Sequence, residues 1–75
     1  MSAQKAAELG IKPLATIIDH ATFSQDPEWF TTAPIGAIKR VLEKAGWTID
    51  DVDLFEVNEA LATVTMAAMH ELNID

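Results

Sequence analysis

No cysteine occurs in this sequence. That absence removes disulfides, thiolate metal sites and a cysteine nucleophile from anything these residues do unaided. Glycine is scarce too: the three glycines stand apart, so there is no glycine-rich loop to cradle a phosphate. Bases are few, with five Lys and Arg against twelve Asp and Glu, and the formal net charge is −7. That balance repels phosphate backbones and argues against a nucleic-acid partner; acidity of this degree serves solubility. No apolar run reaches the roughly 18 residues that cross a bilayer, so no membrane partner is expected. Met1-Ser2-Ala3-Gln4-Lys5 lacks the pattern of a secretory leader, which leaves the cytoplasm as the default compartment. His20 and His70 are the only histidines, and neither has a second ligand at metal spacing, so no metal is expected. The cluster Asp50-Asp51-Val52-Asp53 lacks the glycine and terminal glutamate of a calcium loop.

What is present is apolar surface. Hydrophobic residues make up 49% of 75 residues. A solitary core of this size is marginal without disulfides, a metal or a partner, and so much apolar surface suggests a piece that expects neighbours.

The pattern along the chain reads helix, strand, helix, strand, helix. Ser2 caps a short helix over Ala3–Leu9, Gly10 suits the left-handed position after it, and Pro13 prevents continuation. Leu14 to Phe23 is β-branched and aromatic and reads as a strand, buried through Ile17 and Ile18. Ser24-Gln25-Asp26-Pro27-Glu28 is a polar connection. Pro34 then fits the first turn of a helix whose Ile35, Ile38, Val41, Leu42 and Ala45 form one stripe. Lys39, Arg40 and Lys44 lie off that stripe, where cations complement the helix dipole, and Gly46 ends the helix. Thr48 to Asp51 looks like a capped single turn. Val52–Val57 reads as a second strand, and Asn58 starts a final helix with Leu61, Val64, Ala68 and Leu72 on one face. Alternating helices and strands predict an α/β layer with parallel strands in a single unit, 1–75.

Asn58 is the residue with the most chemistry to offer. An asparagine ahead of a helix accepts hydrogen bonds from first-turn amides. At a strand end in an open α/β sheet it also faces the crevice where ligands bind, and its amide could hold a water or a carbonyl there. Glu59 is expected in a first helical turn from the dipole alone. Trp29 and Phe30 line a pocket or anchor a core. An acyl carrier function needs a serine opening a helix in an Asp-Ser-Leu context; Ser2 and Ser24 have no such setting.

Asp53-Leu54-Phe55-Glu56-Val57-Asn58-Glu59-Ala60-Leu61-Ala62 resembles the Asn-Glu-Ala-Phe-Ala junction of the thiolases, the acyl-CoA C-acyltransferases. Ala7-Glu8-Leu9-Gly10-Ile11-Lys12-Pro13-Leu14-Ala15, Asp26-Pro27, Ala33-Pro34 and Leu42-Glu43-Lys44-Ala45-Gly46-Trp47 resemble further thiolase elements in the same order. Together they make the chain similar to a contiguous segment from the C-terminal half of that family. The resemblance implies a partial C-terminal domain: part of a layered α/β/α fold with a mixed sheet left incomplete.

By the same resemblance, the parent condenses acetyl-CoA or cleaves 3-ketoacyl-CoA through an acyl-cysteine. Its coenzyme A thioester is a substrate, and no cofactor is implied. Asn58 would hold the water of an oxyanion site, and Phe30, Ala60 and Leu61 match positions lining the acyl or pantetheine end of the pocket. Two departures stand out: Leu61 replaces the usual phenylalanine, and Phe30-Thr31-Thr32-Ala33-Pro34 replaces a common Met-Gly-x-Gly-Pro. Both put acyl-chain preference in question. The two cysteines and the Gly-His-Pro histidine of the family are absent, so the chain is expected to be a fragment, inactive alone, whose partners are the rest of a thiolase chain and an acyl-CoA. In isolation it is expected to form a homodimer or larger assembly. The alternative is a small non-enzymatic α/β interaction module derived from that fold. A reading frame that continues to the missing cysteines and histidine separates the two.

Overall fold

Ser2 accepts a hydrogen bond at Oγ from the Lys5 amide, 3.1 Å away, and so opens helix α1, Ala3–Glu8. Gly10 takes φ +65°, which lets its own amide reach the Ala7 carbonyl and the Ile11 amide reach that of Ala6. This paired closure satisfies carbonyls that a helix end otherwise orphans, and glycine adopts it without a Cβ penalty. The computed structural model describes residues 1–74.

After α1 no helix forms until Pro27. A 3₁₀ turn spans Pro27–Thr32 and runs into α2, Ala33–Ala45, with Pro34 in its first turn as expected. Gly46, at φ +70°, closes α2 through the same pair of bonds, from its own amide to Glu43 and from Trp47 to Leu42. The single turn at Ile49–Asp51 is held by the Asp51 carboxylate, which accepts from the Thr48 amide at 2.7 Å and from its hydroxyl at 2.8 Å. Helix α3 spans Ala62–Leu72, and Asn73 ends it in the left-handed region.

The expected α/β order is overturned, because among the described residues there is no β-strand. Neither 14–23 nor 52–57 joins a ladder, and the residues expected to be buried in the first of them lie in the open: Ile17 is 89% exposed and Ile18 59%; in the second, Leu54 is 89% exposed. The reason is geometric. A strand exists only through a hydrogen-bonding neighbour roughly 4.8 Å away, and residues 12–25 make no backbone–backbone hydrogen bond among the described residues. β-branched composition sets a preference and cannot supply the partner. The layered mixed-sheet architecture is therefore absent among the described residues.

Helices α2 and α3 and the first 3₁₀ turn pack on one another. Their core is small: Ile35, Ala68 and Leu72 are buried, with Ile38, Ile49, Ala67 and Ile74 packed around them. The expected face of the last helix is buried at Val64, Ala68 and Leu72, while Leu61 remains half exposed. Elsewhere the chain spreads out. Its radius of gyration is 15.4 Å, against about 11 Å for a close-packed chain of this length.

Candidate functional site

The segment that precedes the first 3₁₀ turn has no ladder to hold it, so α2 holds it instead. Gly36, Arg40 and Lys44 recur every four residues and share one face of that helix. Lys44 Nζ donates to Asp19 Oδ1 at 2.6 Å and to the His20 carbonyl at 2.7 Å. Arg40 Nη1 donates to the Thr22 carbonyl at 3.0 Å, and its guanidinium carbon lies 4.9 Å from the centre of the Phe23 ring, a cation–π distance. The Phe23 ring rests against Gly36. Further on, Gln25 Nε2 donates to the Trp29 carbonyl and, at 2.6 Å, to Thr32 Oγ1, which ties the segment to the 3₁₀ turn.

With Asp19–Phe23 docked on α2, an open groove of about 560 Å³ forms beside it. It is lined by Ala21, Thr22 and Phe23 of the docked segment, by Phe30 and the α2 residues Ala33, Pro34, Ala37 and Ile38, and by Glu56, Val57, Asn58, Ala60 and Val64. The surround is largely apolar. Thr22, Glu56 and Asn58 are its polar points, and only Asn58 offers both an amide donor and a carbonyl acceptor on its side chain. A mostly apolar trough with few polar groups suits a ligand with an aliphatic arm and a polar head.

Three of the four site residues expected from sequence, Phe30, Asn58 and Ala60, thus meet in one groove, although 28 positions of numbering separate Phe30 from Asn58. Leu61 does not line it. The expected start of the last helix at Asn58 is corrected: α3 begins at Ala62, Leu61 occupies the N-cap with φ −142° and ψ 148°, and no side chain caps it. The interval Asn58–Leu61 stays non-helical: the Ala60 amide closes back on the Asn58 carbonyl at 3.1 Å, and the Leu61 carbonyl accepts from the Val64 amide at 2.9 Å as α3 begins. Asn58 is therefore exposed on an irregular connection, free of a capping duty. Sequence reasoning missed Ala21, Thr22, Phe23 and Ala37 as groove residues. The signal available was Gly36, a glycine inside a helix with no turn to make.

Two carboxyls titrate below the usual range. The Lys44 ammonium and the His20 amide hydrogen-bond Asp19 and hold its carboxyl below 3.8, and the Thr48 amide and hydroxyl do the same for Asp51. A carboxyl depressed on folding stabilises the folded form above its unfolded value of about 3.8, and that contribution is lost as pH falls through the lower folded value. Lys44→Met should return the Asp19 titration toward 3.8 and leave Asp51 depressed, as read by carbon-13 shifts of the two carboxyls. An Asp19 titration unmoved by Lys44→Met would show that the ion pair does not hold the segment. Among the described residues no group of acids and histidines is placed to bind a metal, and no helix is long and apolar enough to cross a membrane.

A family profile described as "Thiolase, C-terminal domain" matches residues 11–75. The chain is 49% identical over 72 residues to an acetyl-CoA acetyltransferase of Syntrophomonas wolfei subsp. wolfei, covering 96% of this chain and 18% of that protein. It is 51% identical over 75 residues to a probable acetyl-CoA acetyltransferase of Dictyostelium discoideum, covering 100% of this chain and 18% of that protein. In structure it matches the crystal structure of the Bacillus anthracis acetyl-CoA acetyltransferase with a TM-score of 0.95 at 41% identity, over 100% of this chain and 19% of that one. The chain thus spans under a fifth of the length of these relatives.

Proposed function

The chain belongs to the thiolase family, through its C-terminal domain, and on that premise we propose that it serves as one part of a coenzyme A-dependent acetyl-CoA acetyltransferase, supplying a side of the acyl-CoA pocket and one polar group of its oxyanion site. The observation that carries this reading is the convergence of Asn58, Phe30 and Ala60 on a single apolar groove. Asn58 is exposed there with its amide uncommitted to capping a helix.

The chemistry follows from what an amide in such a place does. Condensation of two acyl-CoA molecules, or its reverse, puts negative charge on a thioester oxygen as an enolate develops. A donor fixed in advance near that oxygen, directly or through an ordered water, stabilises the charge without reorganising as the reaction proceeds. Asn58 supplies the N–H groups. Phe30 and Ala60 bound the space for the acyl group and the adjoining pantetheine arm. The nucleophile is a cysteine thiolate, which attacks the acyl-CoA carbonyl and expels coenzyme A to form the acyl-enzyme. No cysteine lies in these residues, so that group and the proton-transfer residues belong to the remainder of a thiolase chain. Coenzyme A enters as part of the substrate, and the reading calls for no separate cofactor.

Thiolysis of acetoacetyl-CoA, followed at its enolate absorbance, tests the proposal. A full-length enzyme containing this segment should turn over, and the purified 75-residue chain should not exceed the buffer blank. Turnover by the short chain, free of contaminating thiolase, would overturn the division of labour; a full-length enzyme inert toward acyl-CoA would overturn the assignment itself.

A further inference from the structure

We propose that Phe23 is the specificity-determining wall of the acyl groove, and that Gly36 is a glycine because the ring occupies the space of a Cβ. The inference rests on the groove being the acyl-CoA site.

A glycine in a helix interior weakens the helix relative to alanine, so its presence needs a reason. Gly36 lies within α2 and its φ is not positive, so no turn demands it. A Cβ built there would sit 2.6 Å from three atoms of the Phe23 ring, well inside carbon–carbon contact. Arg40, one turn further along α2, completes the setting. Its guanidinium lies over the ring, and its Nη1 holds the carbonyl of Thr22, the residue just before. Ring and backbone are therefore fixed from the same helix face, although Phe23 stands outside any regular element.

The ring also borders two spaces. Phe23 lines the acyl groove, and it lines a second open concavity of about 630 Å³ on the Gly36 side, bounded by Ile35, Lys39, Ala67 and His70. It is the one residue common to both linings. Trimming it joins the spaces and deepens the groove, which makes room for additional methylenes of an acyl chain. With the ring in place, the wall favours short acyl groups.

The test uses the full-length enzyme that contains this segment, with kcat/KM measured for acetoacetyl-CoA and 3-ketohexanoyl-CoA. One methylene in an apolar pocket is worth roughly 10–200-fold in discrimination. Phe23→Ala should therefore raise the six-carbon to four-carbon ratio by about tenfold or more. Should Phe23→Ala fail to fold, Phe23→Val combined with Gly36→Ala carries the same measurement, because the smaller side chain leaves room for the new methyl. The pairing has its own readout in thermal melts. Gly36→Ala should lower Tm in the Phe23 background and leave it level or raised in the Phe23→Val background. A ratio unchanged in a folded Phe23 variant overturns the wall, and an equal fall in Tm in both backgrounds overturns the pairing. Wild-type enzyme without turnover overturns the acyl-CoA assignment and the wall with it, whereas wild-type turnover with an unshifted ratio overturns the wall alone.

Discussion

Asn58→Asp in the full-length enzyme should lower kcat by about 10²–10³, the range seen when a single oxyanion donor is lost. The substitution exchanges a neutral N–H donor for a carboxylate with nothing to donate, and places negative charge where the reaction develops more. The fold should barely notice. Asn58 is exposed, lies ahead of α3 rather than at its cap, and takes part in the local backbone only through its carbonyl. Unfolding free energy should stay within the small range typical of surface substitutions, about 0.5 kcal/mol either way. The separation of rate from stability is the informative result, and a substrate KM near that of the wild type would sharpen it. An Asn58→Asp enzyme with its full rate would remove Asn58 from the chemistry.

The second large effect concerns the 75-residue chain alone. It should self-associate at micromolar concentration, with a homodimer as the first species. Leu14, Ile17 and Leu54 are almost fully exposed, and Ile18 and Trp29 more than half. Isolated apolar residues on a surface are ordinary, whereas this many on so short a chain predict association. The buried core holds few side chains larger than alanine, so the monomer has little stability with which to tolerate that exposure. Light scattering across a dilution series should give masses above 8.2 kDa that fall on dilution. Ile17→Lys with Leu54→Lys should shift the distribution toward monomer by putting charge on the exposed apolar surface. A cooperatively melting monomer at micromolar concentration would show that the chain covers these residues itself.

Much of the helical layout was legible from local chemistry. Ser2 as a cap, Gly10 and Gly46 as left-handed terminators, Pro34 in a first turn and the Thr48–Asp51 turn all appear as the residues suggest, because each acts over three or four positions. The stripe on α2 and the Val64, Ala68, Leu72 face of α3 follow from helical period for the same reason. The family, too, was readable in motif order, since the Asn58 junction and the segments before it keep their spacing across most of the chain.

Tertiary structure decided the rest. Leu14–Phe23 and Val52–Val57 have strand-like composition but no strand, because pairing is a property of two segments and neither meets a partner in these residues. Asn58 lies outside the helix cap as well: α3 begins at Ala62 with Leu61 as its N-cap, and the helix packs on α2 and the first 3₁₀ turn. The groove wall was equally hidden. Phe23 and Gly36 are unremarkable apart, thirteen positions from each other in the sequence, and only their contact shows why a helix keeps a glycine there. Sequence alone determined the start and end of α1, the Pro34 and Gly46 ends of α2, the Thr48–Asp51 turn and the family the chain belongs to, because those are local or additive signals. The absence of a sheet among the described residues and the assembly of the groove were settled only by the tertiary structure, because both depend on which distant residues come into contact.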